Sequence, residues 1–287
     1  MIITRIQGGI GNQMFEYASG CGIAKKTGQD LRFDLSGLNT APGDTKRHYQ
    51  LNIFNAPLKF ASQEELKRFT LEKRFPKISA LLKKIGMNIP SYVVEKNVNF
   101  NEKVFSLKGD VYLDGYWQSE KYFKHIEDDI KKSFILKNQS SEQARELIKS
   151  AKKENSVAVQ VRHGDYITNP KTSALHGALD KEYYQKAIAY ICTKIVNPVF
   201  FVISDDTNWV MQNIKTPGKM IRVPVADYEQ MEVMRWCKHH IISNSSFGWW
   251  GSWLSNGPNK IVIAPKKWFL GLDCDIDDRL PLEWIKI

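Results

Sequence analysis

Apolar positions recur along this chain in two alternating rhythms. Short runs rich in Ile, Val and Phe fall at residues 2–6, 30–35, 111–117, 157–161, 199–204, 220–223, 240–243 and 261–265, with the length and composition of strands. Between many of them the apolar residues stand three and four apart. That spacing predicts helices over residues 12–26, 120–134, 141–153, 181–196, 230–237 and through Trp249 to Leu254. Strands alternating with helices imply largely parallel sheets covered on both faces, whose ligands sit at the carboxyl ends of strands. The polar stretch from Lys152 to Ser156 separates the two halves, so two α/β domains are expected, residues 1–153 and 154–287.

Residues 63–85 stand apart. Leu66, Phe69, Phe75, Ile78, Leu81, Leu82 and Ile85 alternate with basic residues in a helical pattern, which Pro76 must end or kink. The chain carries a net charge of +10, and residues 59–84 supply half of it, eight Lys or Arg against three acids. Such a segment is either a solvated surface helix pair or a face that rests on anionic lipid. The excess charge favours an anionic partner without choosing among nucleic acid, lipid and phosphorylated substrate.

The remaining composition is that of a folded protein, 43% hydrophobic and 25% charged, which excludes disorder. No apolar run reaches the ~18 residues of a membrane span, and no leader is visible at the start, so a cytoplasmic protein is expected. The four cysteines, Cys21, Cys192, Cys237 and Cys274, are scattered and form no CxxC pair, which argues against a zinc ribbon or a disulfide framework.

Candidate chemistry collects at predicted strand ends. Gly8-Gly9-Ile10-Gly11-Asn12 follows the first strand and opens a helix, where glycines let amides approach a ligand. A dinucleotide fingerprint would read G-x-G-x-x-G. Gly9 and Gly11 fit it and Asp34 sits where a ribose-binding acid would, but Met14 occupies the third glycine position. The loop is therefore a tight turn, a ligand-facing loop of another kind, or a defective nicotinamide site. Arg162-His163-Gly164-Asp165 follows another strand. The planar fork of Arg162 suits a phosphate, and Asp165 could orient its neighbours or take a proton. Asp205 and Asp206 end a third strand, as helix caps or as partners for hydroxyls, a metal or an arginine. Ser245 and Ser246 open a helix, as caps or as an anion site. Asp273-Cys274-Asp275 is formally a metal-type D-x-D, but it reads as a solvated acidic loop.

Taken in order, the segments 8–18, 115–123, 161–166, 203–206 and 237–254 resemble the α-1,2-fucosyltransferases, bacterial type, which are inverting and use GDP-L-fucose. The resemblance implies a glycosyltransferase-B-like α/β fold, two Rossmann-like domains facing across a cleft, with the second domain holding GDP and the first shaping the acceptor side. It implies Arg162 on the diphosphate, Ser245 and Ser246 beside the phosphates, Asn12 near the sugar, and Gly9, Gly11, His163 and Asp205 around the donor. Two positions depart from the family's pattern. Gln160 stands for its histidine and His163 for its second arginine. Guanine recognition is implied at Gln230, with Glu229 or Glu232 as substitutes. Asp165, Asp34 and His48 are candidates for a base.

The resulting expectation is transfer of fucose from GDP-β-L-fucose to a galactose 2-hydroxyl of a glycan without a metal or other cofactor. No nucleic acid partner is expected, and a cytoplasmic location at the inner face of a bacterial membrane is. The rivals are a nicotinamide-dependent oxidoreductase built on Gly9, Gly11 and Asp34, and a non-enzymatic basic module for membrane or nucleic acid.

Overall fold

A computed structural model describes residues 1–38 and 47–287; for Asp165 it describes the backbone alone. The chain divides into two compact units, Met1–Lys137 and Asn138–Ile287.

The first unit holds four strands, β1 (Ile2–Arg5), β2 (Leu31–Asp34), β3 (Ser91–Val94) and β4 (Val111–Asp114), all parallel in the order β2-β1-β4-β3. The helix Ile10–Thr27 joins β1 to β2. Gly28 ends it in a left-handed conformation (φ 67°), and Lys25 and Lys26 lie in its last turn, where cations meet the negative end of the helix dipole. Most of this helix is buried, Met14, Phe15, Tyr17 and Ala18 included. Between β2 and β3 the basic segment forms three short helices, Gln63–Lys67, Thr70–Arg74 and Pro76–Lys84. The break comes at Phe75, directly before Pro76, because proline disfavours helical backbone in the residue ahead of it.

The second unit holds β5 (Asn155–Val161), β6 (Pro198–Ser204), β7 (Met220–Arg222), β8 (His239–Ile241), β9 (Val262–Ala264) and β10 (Ile285–Lys286). All are parallel, in the order β10-β9-β8-β5-β6-β7. Counted from β5, this is the doubly wound order 3-2-1-4-5-6. Alternation along β5 sorts its side chains. Val157, Val159 and Val161 join Ile188, Ile191, Phe200, Val202 and Ile241 in one apolar cluster, which leaves Ala158 and Gln160 to the opposite face.

The units meet at 137/138 rather than 153/154. The helix Glu142–Lys153 precedes the polar stretch in sequence but packs on the second unit. Its capping residue Ser141 donates through N (2.6 Å) and Oγ (3.0 Å) to the buried Glu229 carboxylate. A polar linker therefore ends at a strand without ending a domain. Two successive α/β units on parallel sheets agree with the fold class expected.

Candidate active site

The order of strands in the second unit reverses between β5 and β8, and such switch points are where doubly wound sheets hold ligands. Two of the sequence motifs end there. Val157 and Val159 of β5 pair with His239 and Ile241 of β8. Continuing the same register brings Arg162 level with Asn244, one residue before Ser245. Gln160 locks that register: its buried Oε1 accepts from Ser243 Oγ (2.7 Å) and Ser243 N (3.2 Å).

Arg162 is partly exposed and ion-paired. Its Nη1 lies 3.1 Å from Asp205 Oδ2, and its guanidinium stands 5.7 Å from the centre of the Tyr166 ring. The other oxygen of Asp205 accepts from His163 N at 2.9 Å. Glycine at 164 leaves room for this approach, since a Cβ there would sit 2.9 Å from Asp205 Oδ2 and one of the two would have to shift. Asp205 thus braces the arginine and its loop, one of the partners its strand-end position offers. Tyr166 donates to Asn244 O (3.0 Å) and so ties the arginine loop to the serine loop.

His163 stacks on Trp209 (4.4 Å between ring centres, 22°), and its Nδ1 lies 2.9 Å from Asp206 Oδ2. Asp206 also caps the helix Thr207–Asn213 through Trp209 N (2.9 Å). That amide, and His163 after it, hold the Asp206 carboxyl below its ordinary range. Of the adjacent acids, one therefore holds an arginine and the other caps a helix.

Ser245 is the N-cap of the helix Ser246–Trp253, yet its hydroxyl makes no capping bond, and no acid lies in the first turn. The amides of such a start can be taken up by an outside anion. Gln230 lies on the helix Asp227–Trp236, half-buried, donating to Val225 O (3.0 Å). The substitutes offered for it are engaged elsewhere. Glu229 holds Ser141, and Glu232 accepts from Trp236 Nε1 (2.9 Å) beside Arg235.

In the first unit, Gly8 carries the positive φ of the glycine turn (71°), and a Cβ there would meet Asn12 Nδ2 at 2.5 Å. Gly9 is the extended N-cap of the helix, and Gly11 is buried in its first turn. Asn12 accepts from Gln118 Nε2 at 2.8 Å through Oδ1. The wholly buried Gln13 fastens the turn: it donates to Gly8 O (2.9 Å) and His48 O (2.8 Å) and accepts from Gln50 N (3.0 Å). One helical turn on, Glu16 is fully buried. Its Oε2 accepts from Gln7 N (2.8 Å), its Oε1 has no partner among the described residues, and desolvation raises its carboxyl well above the usual range.

The strand ends of this sheet carry a network that no motif announced. Arg5 pairs with Asp114 (2.9 Å), and Tyr92 donates to the other oxygen of Asp114 (2.5 Å). Asp34 accepts from Tyr112 (2.5 Å) and from Ser36 Oγ (2.6 Å) and N (2.9 Å). Asp34 is buried and holds three hydrogen bonds, so its candidacy as a base or as a ribose-binding acid gains no support. Of the remaining base candidates, His48 is exposed, and the side chain of Asp165 lies outside the described residues. Asp275 caps the helix Ile276–Arg279 through Asp277 N (2.9 Å), which accounts for half of the D-x-D. Among the described residues, no three His, Cys, Asp or Glu side chains gather as a metal site, and no helix is long and apolar enough to cross a membrane.

Comparison with known proteins puts these geometries in company. The family described as Glycosyl transferase family 11 matches residues 1–286. An alpha-1,2-colitosyltransferase of Escherichia coli is 33% identical over 298 residues, covering 100% of this chain and 99% of the relative. The O-antigen biosynthesis glycosyltransferase WbnK, also of Escherichia coli, is 31% identical over 93% of this chain and 94% of its own length. A galactoside alpha-(1,2)-fucosyltransferase 2 of Sus scrofa is 25% identical over 98% of this chain and 78% of its own length.

Proposed function

The chain belongs to glycosyl transferase family 11, and from that membership we propose that it moves L-fucose from GDP-β-L-fucose to a galactose 2-hydroxyl of a glycan, with inversion. The observation that carries the reading is the group at the switch point: Arg162, braced by Asp205, level with a helix start whose N-cap serine makes no side-chain capping bond.

Breaking the bond between sugar and diphosphate builds negative charge on the departing oxygen. A fixed guanidinium and a helix N-terminus stabilise that charge more strongly than they stabilise the intact donor, which is the condition for acceleration. In this reading Arg162 bears on the diphosphate, Ser245 and Ser246 supply hydroxyl and amide donors, and His163, held by Asp206 and Trp209, lines the same group. Gln230 takes the guanine edge. Asn12 and the turn at Gly9 and Gly11 belong to the sugar and acceptor side, and Asp165 and His48 stay candidates for a base. Positive charge supplied by the protein makes a metal unnecessary.

The 33% identity to a colitosyltransferase over the whole chain supports a second donor. Colitose is fucose without its 3-hydroxyl, so one hydrogen bond on the sugar side would choose between them. The deciding experiment offers purified protein GDP-fucose, GDP-colitose and GDP-mannose with galactoside acceptors and reads product and linkage. Fucosyl transfer to the 2-position supports the proposal. Preference for colitose moves it to the second donor, and failure with every GDP-sugar rejects both.

A further inference from the structure

The helix Pro76–Lys84 is amphipathic the wrong way round for a helix packed on a core. Polar side chains tie it to the body, with Leu82 partly buried beside them. Glu72 accepts from the buried Ser79 hydroxyl and pairs with Lys83 (3.2 Å), and Lys83 in turn donates to Ser91 (3.2 Å). Its other large apolar side chains, and those at its two ends, are exposed. Phe75, Ile78, Leu81 and Ile85 are 54%, 51%, 62% and 70% exposed, and Met87 just beyond is 49% exposed. Spacings of three and four residues set Ile78, Leu81 and Ile85 on one stripe, and Phe75 stands directly ahead of the helix. Scattered exposed apolar residues need no explanation, but a contiguous set marks an interaction surface.

Charge identifies the partner. Residues 73–94 contain Lys73, Arg74, Lys77, Lys83 and Lys84 and no acid. Lys77 and Lys84 are exposed, and the helical spacing sets them along one edge of the stripe. A nucleic acid would use the cations but leave the aliphatic stripe in water, and it favours aromatic stacking that Ile and Leu cannot give. An acidic protein surface lacks an apolar layer beneath its charges. An anionic bilayer offers both, acyl chains for the stripe and phosphate headgroups for its rim.

We propose that this face docks on anionic phospholipid, with Phe75, Ile78, Leu81 and Ile85 entering the boundary between headgroups and acyl chains and Arg74, Lys77 and Lys84 resting on the phosphates. The proposal does not depend on the transfer reaction, since these residues lie outside the group assigned to it.

The test is sedimentation of the full chain with vesicles of phosphatidylcholine alone and of equal parts phosphatidylcholine and phosphatidylglycerol. Binding is expected only with phosphatidylglycerol and falls as salt is raised, because exposed charges are screened beyond ~10 Å at 0.1 M. The variants Leu81→Ser/Ile85→Ser and Lys77→Glu/Lys84→Glu should each lower vesicle partitioning on the order of tenfold. Both should leave Tm and turnover of a water-soluble acceptor unchanged, because every altered side chain is exposed. Equal binding to both vesicle types, or variants that bind like the parent, overturns the proposal. So does concentration-dependent self-association that Leu81→Ser abolishes, which would give the face to a second copy of the chain.

Discussion

The Asp205 carboxylate holds the Arg162 guanidinium with one oxygen at 3.1 Å and the His163 amide with the other at 2.9 Å. A single side chain at the end of β6 therefore fixes both the arginine at the end of β5 and the backbone that carries it. If Arg162 stabilises the leaving diphosphate, Arg162→Ala should lower kcat about 10²–10³-fold with Tm preserved. Arg162→Lys should recover only part of this, because an ammonium cannot offer the planar fork. Steady-state kinetics with the donor at saturation measures both, and a near-normal kcat for the alanine variant would exclude the role.

Gly164 gives the same relationship a backbone test. A methyl group at this position would lie 2.9 Å from Asp205 Oδ2, so Gly164→Ala should push the carboxylate from the guanidinium without touching any substrate. Donor KM should rise and kcat fall, by less than in Arg162→Ala. Asp205→Asn, which keeps the shape and removes the charge, should show the same pattern. Kinetics that follow the parent would leave Asp205 no part in positioning the arginine.

Gln160 is expected to act through stability. Removing its carboxamide in Gln160→Ala leaves the buried Ser243 N–H and hydroxyl without an acceptor, at a cost of about 1–3 kcal/mol. Thermal unfolding should start a few degrees lower, and Gln160→His, with one ring nitrogen as acceptor, should lie between the two. Unchanged Tm in the alanine variant would mean that the β5–β8 register is fixed elsewhere.

Glu16 sets a pH dependence whose sign follows from burial. Desolvation raises its carboxyl well above the ordinary range, so the native state binds the proton more tightly than the unfolded chain does. The stability it contributes is complete below about pH 4.3, the unfolded value, and is lost as pH rises toward the raised native value. Glu16→Gln, which has no proton to lose, should therefore gain in Tm relative to the parent as pH is raised. Parallel Tm curves across that range would show that Glu16 does not titrate differently on folding.

Chelation offers a check on charge stabilisation. If Arg162 and the helix start supply the positive charge, EDTA should leave transfer within about twofold of the untreated enzyme, against the 10²–10³ expected when the electrostatic partner is removed. Restoration of a chelator-inhibited enzyme by manganese would instead return Asp273 and Asp275 to the site.

Most of the architecture was legible because burial leaves a periodic trace. Val157, Val159 and Val161 announce β5, and the helix after the glycine turn was placed to within a few residues. What escaped was short or depended on distant partners. β3 is four residues after a proline, β10 is two residues at a sheet edge, and neither is long enough to show a period. The helix Asp227–Trp236 begins three residues before its expected start because its first turn is polar. At the site, Arg162 and the serine loop were visible at strand ends. The division of labour between Asp205 and Asp206 was not, since sequence cannot say which of two adjacent acids turns toward the arginine. The pairing of Arg5 with Asp114 joins residues 109 positions apart, so no local pattern could reveal it. Gln160 read as a departure from a motif; its hydrogen bonds to Ser243 show it as a clasp between strands.

The central position of β5 bears on how such a chain can diversify. A strand hemmed on both sides by β6 and β8 gives its terminal residues little room to drift, whereas β7 and β10 each have one neighbour. Substitutions in the turns at the margins of this sheet therefore disturb fewer neighbours than substitutions where β5 ends.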